Sequence, residues 1–313
     1  MEIPTIDLSR AEYEEPVVID QLVNAFETVG FATLVNHGVD STLIDKAFAA
    51  SKKFFSLTLD DKLKYAFQGH KSNRGFIAPG SETHDLEKDC LPDPKETFDI
   101  GKEDESGFNN YWPDELNDTT FRDDLLDYFS SMDRLHLRLM RMIAVGLQLP
   151  DPDFLVKRCN DRHENLRLLH YHSLPPEHPN KMIRGNVHTD FGTITLLVQD
   201  DVGGLRVKKP EGEWVNIEPL SHSIIVNVGD MLMRWSNDRL KATLHQVITP
   251  PRFGPEDRIP ERYSIAFFCN ANKDTLLECL ETCRNENEPA KYPPVNAHAY
   301  LTQRLEDTIT SKK

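Results

Sequence analysis

His188-Thr189-Asp190 is the short stretch on which the interpretation of this sequence depends, and its distant partner is His245. In an extended segment, residues two apart point to the same side, so the imidazole and the carboxylate share one face. His245 lies in a later β-type run, Thr-Leu-His-Gln-Val, and can supply a third ligand. Two imidazoles and one carboxylate on one face of a metal ion leave its other positions open. A His-x-Asp pair alone is weak evidence, so the rest of the chain must support this metal site.

The composition is that of an ordinary globular chain with an excess of acidic residues. Of its 313 residues, 39% are hydrophobic and 28% are charged, which suits one large β domain with helical additions or two smaller domains. The formal net charge of −15 argues against nucleic acid or an anionic membrane as a partner, because both require clustered Lys and Arg. We therefore expect a small-molecule partner, while the oligomeric state stays open.

The cysteines and the amino terminus bear on the compartment. The chain has an odd number of cysteines and no CxxC pair: Cys90, Cys159, Cys269, Cys279 and Cys283. This pattern favours reduced thiols over a disulfide framework. The amino terminus lacks a basic region followed by an apolar one, and no apolar run approaches about 18 residues. We expect a cytoplasmic protein, with the nucleus as a further compartment, and neither a signal peptide nor a membrane span.

The first half of the chain alternates short strands with amphipathic helices. Hydrophobic spacing predicts two strands and three helices, at residues 3–8, 31–35, 17–28, 42–55 and 59–65. Residues 69–112 are rich in Gly, Pro, Asp and Glu, which predicts a long lid or binding loop, with disorder as the alternative. Apolar residues then recur at three- and four-residue steps over residues 121–149, which predicts one long spine helix packed on a sheet.

After about Asn165 the pattern changes to short strand-like runs. Eight such strands are predicted, at residues 166–171, 193–199, 204–207, 214–217, 224–227, 231–235, 242–248 and 263–268. Turn-forming Gly, Pro, Asn and Asp separate many of them. This spacing predicts a double-stranded β-helix, or jelly roll, and the part after about Thr275 is expected to be helical and irregular.

A second pair of alternating residues lies in the segment Arg262-Tyr-Ser264-Ile-Ala-Phe-Phe. The planar guanidinium can bind a carboxylate through two hydrogen bonds, and the serine hydroxyl can add a third. A guanidinium that faces the interior of a jelly roll needs an anion, because burying an unpaired charge is costly. A co-substrate carboxylate and a nearby Asp or Glu of the chain are both candidates for this anion.

These motifs, in this order on a β-rich half, resemble the iron- and 2-oxoglutarate-dependent dioxygenases, and within them the isopenicillin N synthase-like branch. Four further segments resemble recurring segments of that branch: Ile3-Pro-Thr-Ile-Asp-Leu, Gly30-Phe-Ala-Thr-Leu-Val-Asn-His-Gly, Asn227-Val-Gly-Asp and Arg234-Trp-Ser-Asn. The resemblance covers nearly the whole chain and implies a jelly-roll core flanked by helices. It implies one compact unit in four parts: 1–118, a non-haem dioxygenase region with lid-like loops; 119–160, the spine helix; 161–275, the Fe(II)/2-oxoglutarate core; and 276–313, a helical segment.

The resemblance also implies roles for individual residues. Fe(II) would bind three ligands: His188, Asp190 and His245. The distal carboxylate of 2-oxoglutarate would be held by Arg262, Ser264 and Tyr171, although Tyr171 could instead be an ordinary strand residue with its hydroxyl at the surface. No catalytic residue beyond the metal centre is implied. Decarboxylation of the keto acid supplies two electrons to dioxygen, so the enzyme would oxidise or hydroxylate a small molecule and release succinate and CO2, with ascorbate as a stimulant.

Several segments are similar to the fungal thymine 7-hydroxylases, including Leu166-Arg167-Leu-Leu-His-Tyr171 and Arg262-Tyr-Ser-Ile-Ala-Phe-Phe-Cys-Asn270. This likeness implies that Arg167 donates to a ring carbonyl and that Phe268 stacks on a pyrimidine or similar heterocycle. An internal salt bridge is the alternative for Arg167, and a core position for Phe268. Phe191 stands where those enzymes carry a tyrosine, so acceptance of thymine itself stays open.

Two other functions remain open from the sequence. One is a 2-oxoglutarate-independent non-haem iron oxidase of the same fold, and the other is a non-catalytic binding protein on this scaffold. Zinc is an alternative metal for the same ligands. Hydroxylation, desaturation and ring closure are not distinguished, and Gln246, where many relatives carry arginine, predicts a difference near the metal without its loss.

Overall fold

The structure is a computed structural model that describes residues 2–9, 15–69, 73–81, 94–103, 109–116, 119–178, 183–254 and 256–307. Cys90 and much of the predicted loop region lie outside these residues. The other four cysteines are buried free thiols. Across the described ranges, no helix is both long enough and apolar enough to span a membrane.

Helices and strands alternate in the first half of the chain. In order they are β1 (Thr5–Asp7), α1 (Pro16–Thr28), β2 (Phe31–Val35), α2 (Ser41–Phe55), α3 (Leu59–Leu63), β3 (Gly75–Ile77), β4 (Lys95–Gly101) and α4 (Thr119–Gly146). Their ends follow from local chemistry. Pro16 opens α1, where its missing N–H costs nothing, and the Asp40 carboxylate accepts a hydrogen bond from the Thr42 N–H to cap α2. The predicted positions of these helices and of β2 are confirmed.

The second half is dominated by strands. In order, its elements are β5 (Asn165–Tyr171), β6 (Ile183–His188), β7 (Ile194–Gln199), β8 (Leu205–Lys208), β9 (Trp214–Asn216), β10 (Ile224–Val228), α5 (Asp230–Trp235), β11 (His245–Ile248), β12 (Arg262–Phe268), β13 (Leu276–Leu277), β14 (Val295–Asn296) and α6 (Ala297–Asp307). The irregular, partly helical end that the sequence predicts is confirmed.

Two sheets make up the jelly roll. The large sheet has the strand order β1-β2-β10-β7-β12-β5-β4-β3, and the small sheet has the order β6-β11-β8-β9. Their inner faces share one apolar cluster, in which Phe31, Leu169 and Ala266 of the large sheet belong with Val207 and Val247 of the small sheet. The double-stranded β-helix predicted from the strand spacing is confirmed.

The outer face of the large sheet is covered by helices, and α4 is the longest of them at 28 residues. Every member of its predicted apolar stripe is buried: Phe121, Leu125, Phe129, Met132, Leu135, Leu139, Met142 and Ile143. The ring of Phe129 meets that of Phe267 on β12 edge to face, with centroids 4.9 Å apart. The prediction of a spine helix packed against a sheet is therefore confirmed, and α4 fixes the sheet from behind.

The predicted lid between residues 69 and 112 was wrong for Lys95–Gly101. This segment is β4, a fully buried strand that pairs with β5 on one side and β3 on the other. Its polar residues have partners inside the fold: Glu96 contacts Lys62 and His170, and Asp99 pairs with Arg167. Hydropathy alone misplaces such a strand, because it treats every charged residue as a surface residue.

The small elements next to the metal-site stretch also differ from prediction. Residues 231–235 were predicted as a strand, but Asp230–Trp235 is the short helix α5, and short apolar runs do not distinguish the two. The N–H groups of Asp230 and Met231 donate to the carbonyls of Asp190 and Gly192, which helps to start the helix there. The strand β6 was not predicted, since Ile183-Arg-Gly-Asn-Val-His has few apolar residues.

Candidate metal centre and adjoining pocket

His188, Asp190 and His245 meet at one end of the small sheet. His188 ends β6 and lies directly opposite His245 on the antiparallel strand β11. The Nε2 atoms of His188 and His245 lie 3.8 and 3.7 Å from Oδ1 of Asp190. One potential ligand atom from each residue falls within a set whose members are at most 4.8 Å apart. The structure thus brings together the three residues that the sequence singled out.

Hydrogen bonds to the backbone set the tautomer of both imidazoles. Nδ1 of His188 lies 2.8 Å from the Asn186 carbonyl oxygen, and Nδ1 of His245 lies 3.1 Å from that of Thr243. A carbonyl oxygen only accepts, so each Nδ1 must carry the proton and donate it. Each neutral ring then has an unprotonated Nε2 that faces the Asp190 carboxylate.

Asp190 is buried and ionised. Burial raises the pKa of its carboxyl group, but the adjacent His245 and His188 and a hydrogen bond from Asn227 outweigh this effect and hold the pKa below its ordinary value. Asn227 Nδ2 donates to Oδ2 at 2.7 Å, which leaves Oδ1 facing the imidazoles. Two neutral nitrogen donors and one carboxylate oxygen fit a divalent first-row metal such as Fe(II).

Arg262 is the second charged feature of the same pocket. It is 1% exposed, and its guanidinium donates to the Gly203 carbonyl at 2.8 Å, the Ser264 hydroxyl at 2.9 Å and the Gln199 side-chain oxygen at 3.0 Å. All three acceptors are neutral. Within the described chain no carboxylate forms an ion pair with Arg262, because nearby Asp200 accepts from the backbone instead. The positive charge therefore fits an anionic ligand, and the sequence-based alternative of an internal Asp or Glu partner is wrong.

Tyr171 lies between two buried guanidinium groups. Its ring centre is 4.8 Å from Cζ of Arg262 and 5.4 Å from Cζ of Arg184, and the residue is buried, so the alternative of a surface tyrosine is wrong. Arg184 donates to the carbonyls of Tyr171 and His172. Burial, together with the charge of Arg262, lowers the pKa of Arg184 to about 10. Sequence reasoning missed Arg184; its signal was an arginine in the unpredicted strand β6.

One pocket between the sheets contains both features. Its lining includes all nine site residues named from the sequence: His188, Asp190, His245, Arg262, Ser264, Tyr171, Arg167, Phe191 and Phe268. Leu301 and Leu305 of α6 also line it, as do the polar side chains of Asn165 and Asn270. None of these four was singled out from the sequence, since nothing in their local pattern indicates that the chain returns to the pocket.

Arg167 and Phe268 form the far wall of this pocket. Nε and Nη2 of Arg167 each lie 2.8 Å from an oxygen of the fully buried Asp99. Asn165 Nδ2 donates to the same carboxylate at 2.8 Å. The guanidinium carbon of Arg167 lies 5.9 Å from the ring centre of Phe268. The internal salt bridge considered for Arg167 is therefore present, while the residue still lines the pocket.

Phe191 connects the loop after Asp190 to the carboxyl-terminal helix α6. Cζ of Arg304 lies 4.6 Å from the centre of its ring, and the same guanidinium pairs with Asp230 at 2.9 Å. Thr189 Oγ1 donates to Asp230 at 3.3 Å. The helix that contributes Leu301 and Leu305 is thus tied to the segment that carries Asp190.

The fold and the pocket define a class of protein. Two imidazoles and a carboxylate on one face, beside a buried arginine that lacks an anionic partner, on a jelly roll, are typical of mononuclear non-haem iron oxygenases with an acidic co-substrate.

Comparison with known proteins identifies the family. The model described as "non-haem dioxygenase in morphine synthesis N-terminal" matches residues 3–115, and that of the "2OG-Fe(II) oxygenase superfamily" matches residues 163–271. A proline hydroxylase of Petromyces alliaceus is 36% identical over 98% of this chain and 100% of its own length. The chain belongs to the 2OG-Fe(II) oxygenase superfamily.

Solved structures agree with this assignment. Thymine 7-hydroxylase of Neurospora crassa in complex with 2-oxoglutarate matches with a TM-score of 0.89 at 37% identity, covering 97% of this chain and 96% of that one. Its complex with 2-oxoglutarate and thymine also gives 0.89, at 36% identity over 98% and 97% of the two chains. The likeness to thymine 7-hydroxylases predicted from the sequence is confirmed. The protein is an Fe(II)- and 2-oxoglutarate-dependent dioxygenase that oxidises a small molecule with release of succinate and CO2.

Proposed function

We propose that this dioxygenase hydroxylates a pyrimidine or a similar flat heterocycle in the pocket between the two sheets. The observation that carries the proposal is the meeting of the His188/Asp190/His245 cluster, Arg262 and an Arg–Phe wall in one cavity. The thymine complex of the Neurospora crassa relative supports a pyrimidine ring as the type of substrate.

In this proposal His188, Asp190 and His245 hold Fe(II), and Arg262, Ser264 and Tyr171 hold the distal carboxylate of 2-oxoglutarate. When bound, the metal and the keto acid together reduce dioxygen and oxidise a C–H bond of the substrate. The hydroxyl of Ser264 accepts from Arg262, so its own proton can be donated to the carboxylate. The buried position of Arg262 makes this recognition strong, since no water competes for the guanidinium.

Arg167 and Phe268 are proposed to hold the heterocycle. Asp99 binds two of the guanidinium nitrogens and fixes its plane, which orients the side chain toward a ring carbonyl. Phe268 offers an aromatic face for stacking. Phe191 contributes a third, apolar surface, but it has no hydroxyl to donate to the substrate. We therefore expect thymine to bind more weakly here than in relatives with tyrosine at this position.

The test is a substrate screen with the full chain, Fe(II), 2-oxoglutarate and ascorbate, in which succinate release is measured. Thymine, uracil derivatives and related heterocycles come first, and proline serves as a non-aromatic comparison. A heterocycle should increase succinate release well above the substrate-free rate, and His188→Ala should abolish the increase. The proposed substrate class is wrong if only non-aromatic compounds increase turnover; equal turnover in His188→Ala would refute the metal assignment.

Three predictions from the sequence stay predictions. They are the boundaries of the four parts of the chain, the cytoplasmic location, and the absence of nucleic-acid and membrane partners. Stimulation by ascorbate is a fourth and is measured in the same assay by leaving ascorbate out.

A further inference from the structure

A second cluster of potential metal ligands lies between α4 and the start of β5, away from the proposed iron site. Asp133 and His136 are three residues apart on α4, so their side chains share one face of the helix. Glu164 directly precedes β5. One ligand atom from each of the three residues falls within a set no more than 4.8 Å apart. The three residues are 4%, 0% and 1% exposed.

Most polar atoms of this cluster have no hydrogen-bond partner in the described structure. They are Oδ1 of Asp133, both ring nitrogens of His136 and both carboxylate oxygens of Glu164. His136 Nδ1 and Glu164 Oε1 are 3.3 Å apart, but their geometry is not that of a hydrogen bond. Buried polar atoms are almost always paired, because leaving them unpaired costs the full desolvation penalty. These five atoms, which converge on one space, indicate a bound species that satisfies them.

The other His/Glu cluster outside the iron site differs in this respect. Glu96 is bonded to the Lys62 ammonium at 2.7 Å and to His170 Nδ1 at 2.8 Å, and Nε2 of His170 lies 3.2 Å from Glu261. An ammonium group already supplies the positive charge that a metal would bring. That cluster is complete as an internal ion-pair network, whereas Asp133, His136 and Glu164 are not.

We propose that Asp133, His136 and Glu164 bind a structural zinc ion. Zinc accepts imidazole nitrogen and carboxylate oxygen together, and its two positive charges balance the two carboxylates. Oδ2 of Asp133 is bonded to Nε of Arg162 at 2.8 Å, which orients the carboxylate and leaves Oδ1 for the metal. Three protein ligands leave a position for water. Because the site is sealed from solvent, zinc would enter during folding and exchange slowly.

The zinc would link α4 to β5 at the edge of the substrate pocket. Residue 165, next to Glu164, lines the pocket and bonds to Asp99, which in turn holds Arg167. The competing occupants are ordered water and a simple His136–Glu164 ion pair. Both would satisfy some of the orphaned atoms without a metal, so metal content separates them from zinc.

The experiment measures zinc per chain by elemental analysis after exhaustive dialysis against EDTA. The full chain carries Asp190→Ala, so that metal at the proposed iron site does not contribute. We expect about one tightly held zinc per chain, as for a structural site that folds around its metal. Glu164→Gln, which has nearly the same shape, should reduce zinc to background, while the matched variant Glu96→Gln in the other cluster should leave it unchanged.

Absence of zinc from the Asp190→Ala protein would overturn the proposal in favour of water or the ion pair. Zinc that survives Glu164→Gln, or that is lost in Glu96→Gln, would also overturn it. If Glu164→Gln does not fold, crystals of the full chain provide the answer. Diffraction data on either side of the zinc absorption edge should show an anomalous peak between Asp133, His136 and Glu164, and its absence would refute the site.

Discussion

Arg262 shows how a single side chain can indicate its ligand. Its guanidinium is buried, is held by three neutral acceptors and has no carboxylate partner in the described chain. Such a charge is costly unless an anion completes it. The distal carboxylate of 2-oxoglutarate has the right charge and shape for this role.

Arg262→Lys should raise the KM for 2-oxoglutarate about tenfold or more, because lysine keeps the charge but loses the planar fork that binds both carboxylate oxygens. The KM for the heterocycle should change little. Steady-state succinate formation, with each substrate varied in turn, measures both constants. Arg252→Lys is the control, since that guanidinium binds only the backbone carbonyls of Asp201 and Val202. Equal effects of the two variants would contradict the assignment of Arg262.

Asp99 is the residue that positions Arg167. Its carboxylate binds Nε and Nη2 of the guanidinium at 2.8 Å and is itself fully buried. Asp99→Asn should keep the size of the side chain but weaken this contact. We expect the KM for the heterocycle to rise about 10- to 100-fold, as for loss of a hydrogen bond between charged groups, with little change in the KM for 2-oxoglutarate.

The comparison variant for Asp99→Asn is Asp151→Asn, which removes an exposed partner of Lys157. That variant should leave both Michaelis constants unchanged. If Asp99→Asn raises both constants together, the residue supports the whole pocket and does not specifically position Arg167.

At the scale of elements, α3, β4 and β5 are joined by one buried ion-pair network. Lys62 of α3 bonds to Glu96 of β4, which bonds to His170 of β5. Glu96→Gln would leave the Lys62 ammonium buried without its counter-charge. We expect a loss of about 3 kcal/mol in the free energy of unfolding at pH 7, the usual size for breaking a buried pair on one side. Urea denaturation followed by circular dichroism measures this loss.

The same pair makes stability depend on pH. Burial raises the pKa of Glu96, but the hydrogen bond with His170 and the charge of Lys62 outweigh it and hold the pKa below the ordinary 4.5. The fold therefore favours the ionised form, whose contribution is complete above pH 4.5 and disappears as the pH falls through the lower folded-state pKa. The difference in stability between wild type and Glu96→Gln should thus shrink in acid. Glu115→Gln, at an exposed partner of Lys64, is the control, and a difference that grows in acid would contradict this account.

The same elements show where prediction from sequence ends. The spine helix and most strands could be predicted, because their apolar residues follow a period of 3.6 or 2. The strand β4 could not, since Glu96 and Asp99 look like surface residues until their partners on α3 and β5 are known. For α5 the short run Asp230–Trp235 fits either type of structure, and the outcome depends on contacts with residues 190–192.

At the scale of the whole molecule, the jelly roll brings distant parts of the chain to one pocket. His188 and His245 face each other across β6 and β11, while Arg262 lies on the large sheet opposite. The ligand types and the Arg-x-Ser pair were visible in the sequence as short alternating motifs. The contributions of Arg184, Asn227 and Leu301 to this region were not identified, because their roles arise only when the two sheets and α6 close on each other.

The central claim is that His188, Asp190, His245 and Arg262 form one site for Fe(II) and 2-oxoglutarate. Anaerobic calorimetry with 2-oxoglutarate, on the protein with and without Fe(II), tests it most directly. The account predicts one binding event per chain that is strengthened by Fe(II) in the wild type, is not strengthened in His245→Ala and is weak in Arg262→Gln. Binding that is equally tight without Fe(II), or unchanged in Arg262→Gln, would contradict it.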